Sequence, residues 1–326
     1  MTRNLNRRQF CGALALGVPM LGAAPTFGAP AADPANGNKI RLALNFGTIL
    51  GYDLNLMQEL EIARDAGYRS VEIWLNRLAD WTKDGDGKPF AANKLAELKK
   101  WLDGEGIKVE NGIGFATWIV NEEDKRAAGL DELKRQAEAL AAIGCPCVAA
   151  PAAGPWNEKI EGIKTVADRY AAALDVCAEF GVRALLELWG ASPTLYNVAD
   201  CMAICAETRR PDAALLLDAY HLYRGGNSFA ALNLISGTAM PVFHMNDYPA
   251  EPEREKLTDA DRVFPGDGIC PIVDVVRTLI RNGFTGALSL ELFNKTYREK
   301  MTALEQAKIG LEKMTKILDE ALDGAN

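Results

Sequence analysis

The chain of 326 residues repeats one pattern, in which a short apolar run precedes a segment with the apolar spacing of an amphipathic helix. The pattern recurs about every 36 residues, the length of a strand–helix unit. Runs that are apolar throughout predict parallel strands covered on both faces by helices. Eight such units predict an α/β fold, a single closed (β/α)8 TIM barrel. The runs are IRLALNFGT (40–48), SVEIWL (70–75), KVENGIGF (108–115), PCVAAPA (146–152), RALLELW (183–189), AALLLDAYH (213–221), MPVFHMND (240–247) and GALSLELF (286–293).

Glycines mark where several of the predicted helices end. Each of them directly precedes an apolar residue that opens the next strand, as expected of a glycine that stops a helix. The alternative, an open doubly wound sheet, usually carries a glycine-rich phosphate loop after its first strand, and FGTILG (46–51) does not match one. The sequence therefore predicts one barrel domain over residues 39–326. The glycines are Gly67, Gly106, Gly144, Gly181 and Gly283.

Residues 1–31 differ from the rest of the chain. Arg7 and Arg8 precede a weakly apolar run rich in glycine and alanine, and APA (29–31) offers a small-residue cleavage site. This segment resembles a twin-arginine signal peptide, which is removed on export. An amphipathic N-terminal helix is the alternative, but the glycines and prolines of the run would break it. We expect an exported or periplasmic protein, with residues 32–38 as a linker.

Composition excludes several classes of function. The formal net charge of −8 leaves no basic face for nucleic acid. No stretch after the N-terminus is apolar and long enough to span a membrane, so no membrane contact is expected of the mature form. The cysteines beyond the signal show no CxxC spacing and are predicted to be buried free thiols. A homo-oligomer is possible, because the helix predicted over 299–322 could pack against a second copy of the chain.

Polar side chains stand at the ends of four consecutive predicted strands, five to eight. In a barrel of this kind, the carboxyl ends of the strands form the catalytic face. Four carboxylates and both histidines of the chain are therefore expected to converge on one quadrant. They are Glu187, Asp218, His221, His244, Asp247 and Glu291.

Burying several carboxylates together is costly unless a cation compensates their charge. A divalent metal ion would do so, and we assign Glu187, Asp218, His244 and Glu291 as its ligands. An oxygen-rich set with one imidazole favours Mn²⁺, with Mg²⁺, Co²⁺ and Zn²⁺ as alternatives. Open coordination positions would be left for two adjacent substrate oxygens.

Each of these residues also has a simpler interpretation. Asp218 could cap the following helix, His244 could be an ordinary core histidine, and Asp247 could orient His244 instead of contacting substrate. Four residues on four neighbouring strand ends are not independent, however, and together they favour a metal site. His221 lies beyond its strand and is interpreted as a donor to the substrate.

The order Glu, Asp-x-x-His, His-x-x-Asp and Glu on strands five to eight resembles the xylose isomerase-like barrels of the sugar phosphate isomerase/epimerase family. That family includes ketose 3-epimerases, hydroxypyruvate isomerase and inosose dehydratase, and the resemblance covers nearly all of residues 40–320. It implies a divalent metal, often Mn²⁺, with Glu187 and Glu291 as acid and base and His221 on a substrate hydroxyl. PGDG (265–268) resembles the turn that precedes the family's seventh helix.

Two positions depart from the ketose epimerases. Their substrate-binding arginine, shortly after the strand-seven histidine, is replaced here by YPA (248–250), and Arg262 is the candidate to substitute for it. Their second substrate glutamate after strand five falls near Pro193 and is absent. A ketohexose epimerase in the narrow sense is therefore not expected. Trp189 and Trp118, near strand ends, are candidates to stack on a sugar.

The implied chemistry is proton transfer through an enediolate of a ketose, aldose or keto-sugar, with the two glutamates as acid and base. Return of the proton to the same carbon gives epimerisation, and return to the adjacent carbon gives isomerisation. Loss of a β-substituent gives elimination. A lyase, dehydratase or hydrolase acting on keto-glycosides or inososes is therefore one alternative, and a non-catalytic sugar-binding barrel is another.

Overall fold

A computed structural model describes residues 40–323, and eight parallel strands in this range form a closed barrel in chain order. The barrel closes where β1 pairs with β8, with Arg41 opposite Ala287. This confirms the predicted single TIM barrel. The predicted signal peptide and linker lie outside the described residues. The strands are β1 Arg41–Asn45, β2 Ser70–Trp74, β3 Lys108–Ile113, β4 Cys147–Ala150, β5 Arg183–Glu187, β6 Leu215–Asp218, β7 Val242–Met245 and β8 Ala287–Leu290.

Helices surround the strands, as the repeated apolar spacing predicts. The last of them, α10, packs against both α8 and α1 and so completes the outer ring. The helix predicted over 299–322, considered above for contact with a second copy, thus packs against other helices of the same barrel. The helices are α1 Leu56–Ala66, α2 Leu75–Trp81, α3 Ala92–Glu105, α4 Glu123–Ala142, α5 Ile163–Ala178, α6 Val198–Glu207, α7 Ala219–Arg224, α8 Ile272–Arg281, α9 Lys295–Lys300 and α10 Ala303–Asp323.

The glycines predicted to stop helices all adopt positive φ, between 66° and 103°. Gly67 and Gly106 are the left-handed residues that follow α1 and α3, and their backbone N–H groups bond carbonyls of the last helical turn. Side chains with a Cβ rarely adopt this conformation, so glycine at these positions sets the point where each helix ends.

Apolar side chains fill the inside of the barrel below the strand ends, among them Leu185, Leu216 and Val242. Residues two apart in a strand point to the same face. Glu187, Asp218 and His244 each follow one of these apolar residues by two positions, so their side chains also point inward. The strand pattern therefore places them on top of the barrel core.

The long connection after β7 is ordered by one buried carboxylate. Asp247 accepts hydrogen bonds from the backbone N–H groups of Tyr248, Gly266 and Cys270, at 2.8–3.0 Å. A Cβ at Gly268 would collide with this carboxylate, so the close approach requires glycine. This arrangement folds the connection back over the barrel mouth and carries Arg262 into it.

Within residues 40–323, no helix has the length and apolar character needed to cross a membrane. The cysteines of this range are free thiols, and all but the half-buried Cys205 are buried, as predicted.

A buried glutamate in the first turn of α1 provides a test of stability. The Glu59 carboxylate is fully buried without a hydrogen-bond partner, and the Arg77 side chain lies 3.8 Å away. Burial, opposed by Arg77, raises the pKa of Glu59 from 4.5 to about 7. The folded state therefore holds a proton that the unfolded chain releases, and stability falls as the pH rises from about 4.5 through 7.

Glu59→Gln removes this dependence and is expected to stabilise the protein above neutral pH by up to about 3 kcal/mol. Below the ordinary carboxyl pKa the gain should vanish. Denaturant unfolding of both proteins at an alkaline and an acidic pH measures the difference. A variant that is less stable at both would contradict the explanation.

Candidate metal and substrate site

The ends of β5 to β8 bring the predicted site residues together at the barrel mouth. Asp218 and His244 are direct partners in the register of β6 and β7. Glu187 ends β5, and Glu291 directly follows β8. All four side chains are buried, with exposed fractions of 0–5%.

Three of the four predicted ligands form one tight group. Asp218, His244 and Glu291 each offer a ligand atom within 4.8 Å of the others, which is close enough to hold one metal ion. Glu187 Oε1 lies 4.0 Å from His244 Nδ1, at the margin of the group. The fourth ligand role therefore stays a prediction.

His244 has the surroundings of a metal ligand. Its Nδ1 is buried without a hydrogen-bond partner, although a Glu291 oxygen lies 3.2 Å away. Burial would lower the pKa of His244, but Glu291 and Glu72 outweigh it and raise the pKa well above its ordinary value. The site thus favours a positive charge at Nδ1, which a proton or a metal ion can supply. These residues fit a bound cation.

Glu72, on β2, was not predicted and holds the other side of the His244 ring. Its carboxylate oxygens lie 3.1 and 3.2 Å from His244 Nε2. It also accepts hydrogen bonds from Asn45 and Asn111. A carboxylate that accepts the Nε2–H fixes the ring orientation and leaves the Nδ1 lone pair for a metal.

Glu72→Gln is expected to weaken divalent-metal binding by about 10–100-fold, because the amide no longer fixes the His244 tautomer. Calorimetric titration with Mn²⁺ measures the change. Glu61→Gln, on the exposed surface of α1, is the matched control and should bind like the parent. Unchanged affinity in Glu72→Gln would show that Glu72 only fills space.

Asp218 has two roles, because its two oxygens face different groups. One oxygen accepts from the His221 N–H and caps α7, as the simpler interpretation predicted. The other accepts from Asn246 at 2.7 Å and from Arg262 at 3.0 Å, on the site side. Helix capping and site function therefore coexist in one residue.

Arg262 reaches the centre of the site from the connection after β7. Its guanidinium lies 3.0 Å from Asp218 and 2.8 Å from Glu291, and it is 1% exposed. The ring of Phe293 covers the guanidinium at 5.1 Å. The sequence pattern predicts that Arg262 substitutes for an arginine placed earlier in ketose epimerases. Its role toward substrate stays a prediction.

His221 lies beside Arg262, and both side chains line the cavity at the barrel mouth. Its Nδ1 accepts from the Gly190 N–H at 3.2 Å, and its Nε2 lies 2.9 Å from Arg262. Burial and the nearby Arg262 charge lower the pKa of His221, so that a neutral ring is favoured. The structure places it outside the ligand group, as the sequence indicated.

Two expected substrate contacts are corrected by the structure. Asp247 is fully buried and orders the connection after β7, where its oxygens already accept backbone N–H groups. Trp118 is 1% exposed, donates to the Pro151 carbonyl and packs on Tyr170. Neither lines the cavity. Asp247 does not contact His244 either, since Glu72 occupies that place.

The cavity above the site has a volume of about 590 Å³. Buried polar groups stand at its base, and aromatic rings form much of its wall. Burial raises the pKa of Glu187 to about 8, with His244 lowering and Glu291 raising it. Burial also acts to raise the pKa of Glu291, but His244 and Arg262 outweigh it and hold that pKa below its ordinary value. The polar lining includes Glu187, His221, Arg262 and Glu291; the rings are Trp74, Phe115, Trp156, Trp189 and Phe293.

Known proteins with similar sequences include inosose isomerases and a dehydratase. The inosose isomerase of Bacillus velezensis is 27% identical over 278 residues, covering 84% of this chain and 95% of that protein. The inosose isomerase of Bacillus subtilis is also 27% identical over 282 residues, with 82% and 93% coverage. The 3-dehydroshikimate dehydratase of Pseudomonas putida is 22% identical over 254 residues, covering 76% of this chain and 37% of that protein.

Solved structures share the fold. A crystal structure of the IOLI protein with a bound zinc atom has a TM-score of 0.77 at 23% identity, covering 86% of this chain and 99% of that one. An L-ribulose 3-epimerase has a TM-score of 0.69 at 18% identity, with 88% and 97% coverage. The family model described as "Xylose isomerase-like TIM barrel" matches residues 60–317. The chain therefore belongs to the xylose isomerase-like TIM barrel family.

Proposed function

We propose that this protein is an exported, divalent-metal-dependent sugar isomerase or epimerase. The observation that carries the proposal is the buried group of Asp218, His244 and Glu291, with the unpaired His244 Nδ1, at the base of an aromatic cavity. A cation held by buried carboxylates beneath a ring-lined cavity suits an oxygen-rich, ring-shaped substrate.

Glu187, Asp218, His244 and Glu291 would hold one divalent ion. When bound, the ion would polarise a substrate carbonyl and so acidify the neighbouring C–H bond. Mn²⁺ is the first candidate, because three of the four donors are carboxylates. Mg²⁺, Co²⁺ and Zn²⁺ are alternatives, and the zinc atom in the structure of the IOLI protein shows that a protein of the same fold can bind a metal.

The two glutamates serve as base and acid in this proposal. One of Glu187 and Glu291 removes the proton from the substrate carbon, and the other returns a proton to the opposite face or the adjacent carbon. Arg262 and His221 contact substrate oxygens in this proposal, since both side chains line the cavity. Trp189 offers an aromatic face for the sugar ring.

Elimination is the second candidate reaction. The dehydratase among the relatives favours it, because loss of a β-substituent starts from the same proton removal. A non-catalytic sugar-binding barrel is the remaining alternative. Export rests on the twin-arginine pattern of residues 1–31 alone and is tested by locating the mature protein in cell fractions.

Deuterium exchange tests the function. The protein is incubated with Mn²⁺ in deuterated water with a panel of ketoses, aldoses, inososes and keto-glycosides, and proton NMR follows each α-carbon. Exchange with conversion to an epimer or isomer supports the proposal, and exchange with loss of a substituent supports the lyase. No exchange with any member of the panel would contradict both reactions and favour the binding barrel.

A further inference from the structure

The cavity is larger than one sugar needs. A six-carbon sugar displaces on the order of six waters, or about 180 Å³. The cavity volume of about 590 Å³ is roughly three times that. If the sugar lies over the buried carboxylates, the outer part of the cavity is left for another group.

Aromatic rings form a continuous wall from the site to the mouth. Trp189 follows Glu187 by two residues, and Trp156 stacks on it with ring centroids 5.6 Å apart and planes 8° apart. Phe115 packs against Trp189 at 6.0 Å and against Trp74 at 5.5 Å. Trp74 is fixed by a hydrogen bond from its indole to Asn45. A planar group could therefore contact rings along the whole depth of the cavity.

The outer rings are exposed although they are large and apolar. Trp156 is 56% exposed and Phe115 40%, whereas Glu187, Glu291 and Arg262 at the base are at most 5% exposed. Clustered exposed aromatic side chains at a cavity mouth are typical of a ligand-binding surface. A ligand that covers Trp156 and Phe115 would remove this apolar surface from water.

Three polar side chains of the outer lining are held by the protein, whereas Lys295 is exposed there. Ser192 accepts hydrogen bonds from the Thr194 and Leu195 N–H groups. The Thr258 hydroxyl donates to Asp261, and Asp259 is paired with Arg262. Apart from Lys295, the hydroxyls of a second sugar would compete with these internal hydrogen bonds and lose hydration. The outer cavity therefore suits an apolar ring better than another carbohydrate.

We propose that Trp156 and Phe115, the outer rings beyond Trp189, form a subsite for an aromatic aglycone, so that the substrate is a sugar linked to an aromatic ring. The inference deepens the proposed function and rests on it for the placement of the sugar. It does not depend on which proton-transfer reaction follows. The binding of the aromatic group can therefore be measured separately from turnover.

Calorimetry tests the subsite with matched methyl and phenyl glycosides of glucose, galactose and xylose, and with cellobiose, at saturating Mn²⁺. At least one phenyl glycoside is expected to bind about 10-fold more tightly than its methyl partner. Trp156→Ala and Phe115→Ala should each remove most of this preference and leave methyl glycoside affinity within about twofold. Tyr196→Ala is the control, because Tyr196 is 38% exposed and does not line the cavity.

Equal affinity within each pair, or no measurable binding of any of them, would overturn the subsite. Tighter binding of cellobiose than of phenyl glucoside would assign the outer cavity to a second sugar and overturn the aromatic assignment. A phenyl preference lost in Trp156→Ala, together with no deuterium exchange on any substrate, would keep the subsite and reject the isomerase. The two proposals can thus fail separately.

Discussion

Replacing Glu187 with glutamine is expected to lower the rate of α-carbon deuterium exchange by about 10²–10⁴-fold. Glutamine keeps the size of the side chain at the end of β5 but can neither take nor deliver the proton. The barrel should remain folded, because glutamine keeps a side-chain oxygen that can accept the hydrogen bond that Glu187 receives from Trp189. Exchange is measured by NMR with a substrate found in the panel above.

Metal occupancy has to be separated from proton transfer in this variant, because Glu187 is also a proposed ligand. The rates are therefore compared at saturating Mn²⁺, with Glu61→Gln on the outer face of α1 as the matched control. Glu291→Gln should show a loss of similar size. A Glu187→Gln variant that exchanges at the parent rate would remove this glutamate from the mechanism.

Replacing His244 with alanine is expected to abolish measurable binding of divalent metal, with a loss beyond the roughly 10–100-fold expected of Glu72→Gln. The chain has two histidines, and both line or flank the same site, so His221→Ala is a closely matched control. His221→Ala should keep metal affinity within a few-fold and lose substrate affinity instead. Calorimetric titration with Mn²⁺ separates the two variants directly.

Thermal unfolding gives a second measurement that does not require turnover. An ion that binds only the folded state stabilises it by about 2.7 kcal/mol at a concentration 100 times Kd. Mn²⁺ should therefore raise the Tm of the parent and of His221→Ala but leave that of His244→Ala unchanged. Equal Mn²⁺ shifts in all three proteins would place the metal elsewhere.

The fold and the centre of the site were predictable because both follow from strand periodicity. Apolar runs that end in Glu187, Asp218 and His244 indicate inward-facing positions at the carboxyl ends of parallel strands, whatever the details of packing. Only residue type and spacing along the chain were needed for this. The helix-ending glycines were predictable for a similarly local reason.

The partners of these residues were harder to predict, because their roles depend on contacts between distant elements. Glu72 lies in SVEIW, where a glutamate gives no sign that it contacts a histidine 172 positions later. Trp118 and Asp247 also lie near strand ends, yet the side chain of Trp118 packs into the core and that of Asp247 orders a connection. The direction in which a side chain points outside the strands is set by tertiary packing, and the sequence pattern does not predict that packing.

Anomalous diffraction from crystals grown with Mn²⁺ tests the central claim most directly. The account predicts one strong manganese peak bonded, at about 2.0–2.3 Å, to His244 Nδ1 and to carboxylate oxygens of Asp218 and Glu291. Glu187 is expected within the same coordination sphere. A peak bound elsewhere, or no peak at this site at saturating Mn²⁺, would contradict the claim that these side chains share one ion.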